Sequence, residues 1–340
     1  MKISCFASIV SEKINGSSLS SRNYISTENM IPNCGGIVDS SSIPDGKVTR
    51  FLTNDILLSN IRPYFKKVWF ASFDGGCSND VICIRTSANR CLPKYLYYAL
   101  CTDHFIDTFS ASSKGTKMPR GDKNALLDYS IPDISIERQQ HIVDILGTLD
   151  EKIENNTKKK DSLLQLYSIE YKKLIANLPK SNALFSIASV ESGKRPIVKN
   201  DTKDNTYTIP IIGASSIMGF TSNYLYDEPI LVIGRVGTHG IVQPIFYRSW
   251  PSDNTLVIKS PYYSFAFQVL SNIDYQSINK GSTQPLITQT DIKNTRIALP
   301  DEESLLRFET TYQMSVLNEI DIENQKINEL KQLYLKKFFG

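Results

Sequence analysis

Residues 55–64 read Asp55-Ile-Leu-Leu-Ser-Asn-Ile-Arg-Pro-Tyr64, and residues 228–237 read Glu228-Pro-Ile-Leu-Val-Ile-Gly-Arg-Val-Gly237. Each holds a short apolar run bounded by turn residues, the pattern of a buried strand. The downstream segments are matched too. Val68-Trp-Phe-Ala71 and Val81-Ile-Cys-Ile84 read as two further strands around an Asp74-Gly75-Gly76 turn. Ile241-Val242 and Thr255-Leu-Val-Ile258 take the same places in the second copy. Gly115-Thr-Lys-Met-Pro119 is answered by Gly281-Ser-Thr-Gln-Pro285, Ile131-Pro132 by Leu299-Pro300, and Ile153-Glu-Asn155 by Ile322-Glu-Asn324. The offset between these landmarks drifts only from about 166 to about 174 residues. Aligned in this way, Arg235 falls where Arg62 falls, and Ser252-Asp-Asn254 where Ser78-Asn-Asp80. The chain is therefore expected to hold two copies of one module, each followed by its own helix. A pseudo-two-fold protein suits a two-fold partner, and duplex DNA is the commonest.

The helices are the second signal. From Ser135 to Leu174 there is no proline and the single glycine Gly147. Ile142, Leu146, Leu149, Ile153, Asn156, Lys160, Leu163, Tyr167, Glu170 and Leu174 recur at alternating steps of four and three, as a coiled seam requires. Asn156 and Lys160 make its middle polar, which sets register at some cost in stability. Forty residues would extend roughly 60 Å, more than one duplex turn of about 34–36 Å. A second helix is predicted from near Glu303 to Phe338, with Leu317, Ile320, Ile327, Leu330, Tyr334 and Phe338 as its stripe. The expected fold class is α+β: two pseudo-symmetric globular domains separated by an antiparallel pair of long helices. The expected divisions are residues 1–133, 134–178, 179–301 and 302–340. Within the first module Pro93 opens a helix carrying Leu96, Tyr97, Leu100, His104 and Phe105 or Phe109, where His104 reads as a packing or surface hydrogen-bonding residue rather than a ligand.

With 340 residues, 41% hydrophobic, the chain suits two ordinary domains, and a formal charge of +3 means that any nucleic-acid footprint is local. All six cysteines lie between Cys5 and Cys101 without a Cys-x-x-Cys pair, and the start is not signal-like. A reduced, cytoplasmic protein with free buried thiols is expected, without a membrane span. Three scattered histidines argue against zinc. Gly234-x-x-Gly-x-x-Gly240 is not the dinucleotide fingerprint, because a strand follows it and not a helix. Ser260-Pro-Tyr-Tyr263 falls short of the Asn/Asp-Pro-Pro-aromatic tetrad of adenine methyltransferases, and it matches Leu92-Pro-Lys-Tyr95 of the first module, so it reads as structural. We find neither a Walker loop nor a nuclease constellation. What remains is readout. The candidate DNA-binding residues are Asn60, Arg62, Lys66, Lys67, Lys114, Thr116, Lys117 and Arg120 in the first module. In the second they are Arg235, Thr238, His239, Lys280, Ser282, Thr283 and Gln284. Two other readings stay open: a duplicated protein-binding scaffold, and a hydrolase using His239 as base.

The segments 55–64, Gly75-Gly-Cys-Ser-Asn-Asp80, Gly281-Ser-Thr-Gln-Pro285 and the two Pro-bounded steps, in duplicated order, resemble the specificity subunits of type I restriction-modification systems. The resemblance covers essentially the whole chain. It implies two target recognition domains, each reading half of a bipartite DNA sequence, with spacer helices that set the gap. It also implies docking of two methyltransferase subunits, and of restriction subunits in the full complex. Adenine N6 methylation with S-adenosylmethionine would belong to the methyltransferase partner, and ATP and Mg to the restriction partner, so that this chain binds no cofactor and is not itself an enzyme. Gly-Thr-Lys-Met-Pro at 115–119 departs from the more typical Gly-Ser-Thr-Gln-Pro at 281–285, and the loops at 60–63 and 234–237 differ, so the half-sites should differ. The chain is short for the family, which implies either a shortened second helix with a compact spacer or a small partner domain.

Overall fold

The computed structural model describes residues 1–87, 90–113, 115, 118–237, 240–279 and 286–340. The chain divides into two compact units, Met1–Glu154 with Gln325–Gly340, and Asn155–Asn324.

Unit 1 contains strands β1 (Ala7–Ile9), β2 (Lys13–Asn15), β3 (Tyr24–Ile25), β4 (Lys47–Phe51), β5 (Ile56–Ser59), β6 (Val68–Phe70), β7 (Gly75–Cys77) and β8 (Val81–Thr86). They form two sheets, in the orders β1-β8-β5-β6 and β2-β4-β7-β3. In the first sheet β5 lies antiparallel between β6 and β8, with Leu57 opposite Cys83. Side chains alternate along a strand. Ile56 and Leu58 therefore share a core with Tyr95, Leu96 and Tyr98 of α1 (Pro93–Leu100) and Phe105 of α2 (Asp103–Ala111). Leu57 and Cys83 pack instead with Ile25 and Phe51 of the second sheet. Both faces are covered, which is why these runs are apolar without alternation. Pro93 does open α1, but the single helix expected through Phe109 is two. The Thr102 hydroxyl interrupts it by accepting the Phe105 N–H as the N-cap of α2. Helices α3 (Lys123–Asp128) and α4 (Ile136–Ile175) come next.

Unit 2 repeats the plan. Its strands are β9 (Asn182–Ala183), β10 (Ser189–Ser192), β11 (Ile209–Ile212), β12 (Ile217–Thr221), β13 (Ile230–Gly234), β14 (Val242–Ile245), β15 (Trp250–Pro251), β16 (Thr255–Lys259) and β17 (Arg296–Ile297). Its helices are α5 (Tyr263–Ser271), α6 (Gln289–Lys293), α7 (Glu302–Thr311) and the first part of α8 (Met314–Phe339). The main sheet runs β10-β16-β13-β14, the order of the unit 1 sheet strand for strand. Leu231 and Ile233 face Phe265 of α5, while Ile230 and Val232 face a second cluster with Ile212. The Tyr263 hydroxyl donates to the Ile230 carbonyl at 3.0 Å, so the Ser-Pro-Tyr-Tyr segment is a strut between helix and strand.

The first long helix runs uninterrupted for 40 residues, as its sequence predicts. The second does not: α7 ends at Thr311 and α8 begins at Met314. Tyr312, at φ −114 and ψ 63, leaves helical geometry, and its ring packs 4.8 Å from Phe308 and 5.3 Å from Tyr167. Tertiary aromatic packing decides that break, and no proline or glycine marks it. In unit 1 the first part of α4 runs antiparallel to the last part of α8. Ile142 and Leu146 share a core with Leu335 and Phe339, and Lys331 pairs with Asp150. In unit 2 the remainder of α4 meets the start of α8. Asn156 Nδ2 donates to Glu323 Oε2 at 2.7 Å and to Asn324 Oδ1 at 2.9 Å; Lys160 Nζ reaches Asp321 at 2.6 Å; Tyr167 lies with Met314 and Leu317. The polar middle is thus a set of specific pairs. Leu149, Ile153, Leu163, Ile327 and Tyr334 are half-buried and Ile320 is buried. Leu330 departs from the predicted stripe. It is 42% exposed, and Lys331 turns inward in its place. Past Ile327 the inward positions advance by four residues, through Lys331 and Leu335 to Phe339. That keeps the stripe on the face occupied by the Asp150 carboxylate and the Tyr95 ring, 5.0 Å from Phe339. No helix among the described residues is long and apolar enough to cross a membrane.

Candidate nucleic-acid interface

The described candidates Asn60, Arg62 and Arg235 lie where the central strand of each main sheet ends, with Arg120 beside Ile61 in unit 1. In unit 1 the Asn60 N–H donates to Asp80 O at 2.8 Å, and the Gly121 N–H donates to Asn60 O at 3.1 Å. Ile61 bridges to Arg120. In unit 2 the Arg235 N–H donates to Asn254 O at 2.9 Å, the Ile287 N–H donates to Arg235 O at 2.9 Å, and Val236 bridges to Leu286. The two frames coincide bond for bond. Arg235 therefore stands where Asn60 stands, and the position of Arg62 belongs to Gly237. The sequence alignment slipped by two residues here. A slip of two leaves every side chain of a strand on its original face, so the apolar pattern cannot detect it. The match of Ser252 to Ser78 holds: Val81 N–H donates to Ser78 O, and Thr255 N–H to Ser252 O, both at 3.0 Å.

Asn60 Oδ1 and Arg235 Nε are buried and have no hydrogen-bond partner among the described residues. Two equivalent positions thus carry polar groups of different chemistry, each with unmet hydrogen-bonding capacity. Such groups are uncommon inside proteins and call for a reason.

The next turn in unit 1 is tightly hydrogen-bonded. Arg62 (φ 49) and Lys66 (φ 53) are both left-handed, an expensive conformation for side chains with a Cβ. The backbone is held by Arg62 N–H to Pro119 O at 2.9 Å and Lys66 N–H to Pro63 O at 2.8 Å. A neighbouring loop adds Asn33 N–H to Phe65 O at 3.0 Å and Cys34 N–H to Lys66 O at 2.8 Å. The turn presents Arg62, Tyr64 and Phe65 to solvent, the two rings 4.8 Å apart. Tyr64 and Phe65 are absent from the candidates named from sequence, which were chosen for hydrogen-bonding and charge. The readable signal was an aromatic pair directly after a strand-ending Arg-Pro.

The other basic candidates divide. Lys66 is buried, its ammonium 2.7 Å from Asp103 on α2, so it anchors the turn and does not point outward. Lys67 donates to Thr27 O at 2.7 Å and lies 5.9 Å from the Phe65 ring. Arg120 is exposed but pairs with Asp80 at 2.9 Å. In unit 2 the corresponding loop is shorter by one residue and uses Gly237 (φ 81) and Gly240 (φ 83) where unit 1 spends strain on arginine and lysine. Lys114, Thr116, Lys117, Thr238, His239, Lys280, Ser282, Thr283 and Gln284 lie outside the described residues. Among the described residues no group of three His, Cys, Asp or Glu side chains is placed to hold a metal ion.

Comparison with known proteins agrees with this duplicated layout. A stretch of 93 residues is 32% identical to the type I restriction enzyme EcoDI specificity subunit of Escherichia coli, covering 27% of this chain and 20% of that protein. A stretch of 125 residues is 34% identical to the type I restriction enzyme HindI specificity subunit of Haemophilus influenzae, covering 35% of this chain and 27% of that one. These matches span only about a quarter of the curated relatives. The S subunit of a type I restriction-modification system from M. genitalium shares the fold, with a TM-score of 0.63 over 100% of this chain and 95% of that chain, at 15% identity. Residues 14–165 and 181–332, one segment for each module and its helix, match the family described as type I restriction modification DNA specificity domain, and the chain belongs to that family.

Proposed function

We propose that this chain is the non-catalytic DNA-recognition subunit of a type I restriction-modification complex. In this reading residues 1–133 and 179–301 are two recognition domains, each reading one half of a bipartite, asymmetric target. Residues 134–178 and 302–340 are the spacer elements that set the gap and dock two methyltransferase subunits, with restriction subunits joining the full assembly in the cytoplasm. Adenine N6 methylation and cleavage are the work of those partners, which hold S-adenosylmethionine, ATP and Mg. The observation that carries the reading is the pair of matched frames at Asn60 and Arg235: the backbone is the same and the side chains are not. A scaffold repeated to bind two copies of one protein would have no cause to differ at that point. A reader of two half-sites must differ there, because asparagine suits adenine edges and arginine suits guanine.

Mapping methylated adenines in cells that express this chain with its methyltransferase partner tests the proposal. The expected motif is split and non-palindromic. Methylation without any sequence preference would favour a protein-binding scaffold; a hydrolase would lose turnover of some substrate in His239→Ala, and retained DNA-directed methylation by the complex would sink that reading. Within the first half-site the aromatic pair should add affinity. Stacking on a base is worth about 1–3 kcal/mol, and 1.4 kcal/mol is tenfold. Tyr64→Ala with Phe65→Ala is therefore expected to weaken target binding about tenfold in fluorescence anisotropy, with an unchanged unfolding midpoint because both rings are already exposed. Unchanged affinity would remove these rings from the interface.

A further inference from the structure

Directly beneath the Arg62–Lys66 turn lie two thiols. Cys34 sits in the loop whose N–H groups hold the turn, and Cys101 caps the end of α1. Their sulfur atoms are 3.0 Å apart, in hydrogen-bond contact. Cys34 is half-buried, whereas Cys101 is 2% exposed. The remaining thiols lie elsewhere: Cys77, Cys83 and Cys91 are buried and Cys5 is exposed.

We propose that Cys34 and Cys101 form an oxidisable dithiol site whose substrate is a small peroxide and whose product is a disulfide under the turn. The chemistry divides between the two sulfurs by exposure. The Cys34 thiolate attacks one oxygen of hydrogen peroxide; the O–O bond breaks, the departing hydroxide takes up a proton as water, and Cys34 becomes a sulfenic acid. The Cys101 sulfur, already in contact, then attacks the Cys34 sulfur. The S–S bond forms, the S–O bond breaks, and the oxygen leaves as water with the Cys101 proton. Two thiols and one peroxide thus give one disulfide and two waters.

The environment favours this assignment of roles. The hydrogen bond with Cys101 holds the Cys34 thiol below its ordinary pKa, and the nearby Lys66 charge assists. Burial raises Cys101. Burial also pushes Cys77 and Cys91 up to about 12, keeping them as unreactive thiols. A disulfide would tie the loop carrying Cys34 to the end of α1, fixing from below the carbonyls of Phe65 and Lys66. The site is thus a means for oxidant to act on the turn. The thiol chemistry itself is independent of the proposed DNA reading.

The test uses the full chain, purified reduced and exposed to a small excess of hydrogen peroxide. Thiols are then alkylated under denaturing conditions and the intact mass and peptides are measured. Two of the six cysteines should escape alkylation, mapping to a Cys34–Cys101 cross-link that dithiothreitol reverses. Cys34→Ser and, separately, Cys101→Ala should each abolish that protection, and two variants guard against one that fails to fold. Full alkylation of both residues after peroxide would overturn the proposal. So would over-oxidation of Cys34 to a sulfinic acid while Cys101 stays a free thiol.

Discussion

Replacing Asp55 with alanine should destabilise unit 1 by about 3 kcal/mol, the low end for breaking a buried ion pair. The Asp55 carboxylate is 2% exposed. It accepts Arg85 Nε at 2.8 Å and Nη2 at 2.7 Å in a bidentate fork, and the Leu52 N–H at 2.7 Å. Alanine removes these acceptor contacts, together with that from the Cys83 thiol at 3.5 Å, and strands the Leu52 N–H. The guanidinium, at 35% side-chain exposure, recovers part of its hydration, which is why the low end applies. For a unit of this size that free energy lowers the unfolding midpoint by roughly 6–12 °C. By the matched hydrogen-bond frames, the position of Asp55 in unit 1 is held in unit 2 by Ile230, which is fully buried in an apolar cluster. The same strand position thus tolerates either a satisfied ion pair or plain packing. Asp55→Ile combined with Arg85→Leu should therefore recover most of the loss, since apolar replacement of a whole buried pair is often neutral. Scanning calorimetry of the single and double variants decides it. A midpoint within about 2 °C of the parent for Asp55→Ala, or no recovery in the double variant, would refute the account.

The contrast between Asp55 and Ile230 also shows what the sequence makes legible. Strands β5, β8, β13 and β16 could be read because both faces are covered and their residues are apolar throughout. Strands β2 and β4 could not: Lys13-Ile-Asn15 and Lys47-Val-Thr-Arg-Phe51 are polar, and their extended form comes from pairing with one another and with β7. Helix α4 was legible to within a residue or so. The breaks at Thr102 and Tyr312 were not, because a side-chain cap and an aromatic cluster cause them. At the candidate site, residue type named Asn60, Arg62 and Arg235. It also included Lys66, whose left-handed backbone and Asp103 partner turn it inward. It passed over Tyr64 and Phe65, whose exposure comes from two left-handed residues that no local pattern announces.

Matched insertions of seven residues, after Glu154 in α4 and after Asn324 in α8, should lengthen the unspecified gap of the methylated motif by about three base pairs. Seven residues are two helical turns, about 10.5 Å of rise, set against about 3.4 Å for each base pair. Two whole turns nearly preserve the facing of each helix, and the places chosen are where the division between the two units crosses both helices. Insertion into α4 alone is a different experiment. It would carry Asn156 away from Glu323 and Asn324, and Lys160 away from Asp321, leaving polar groups of a paired seam without partners. An unsatisfied buried group costs about 1–3 kcal/mol, so the single insertion should lower both the unfolding midpoint and the yield of active complex. Under the proposed function the half-sites are read by Asn60, Arg235 and their loops, which the matched insertions leave untouched. Motif mapping should therefore return the same two half-sites at a wider spacing. Altered half-sites with an unchanged gap would show that the helices do not set the spacing, even if the chain still directs methylation.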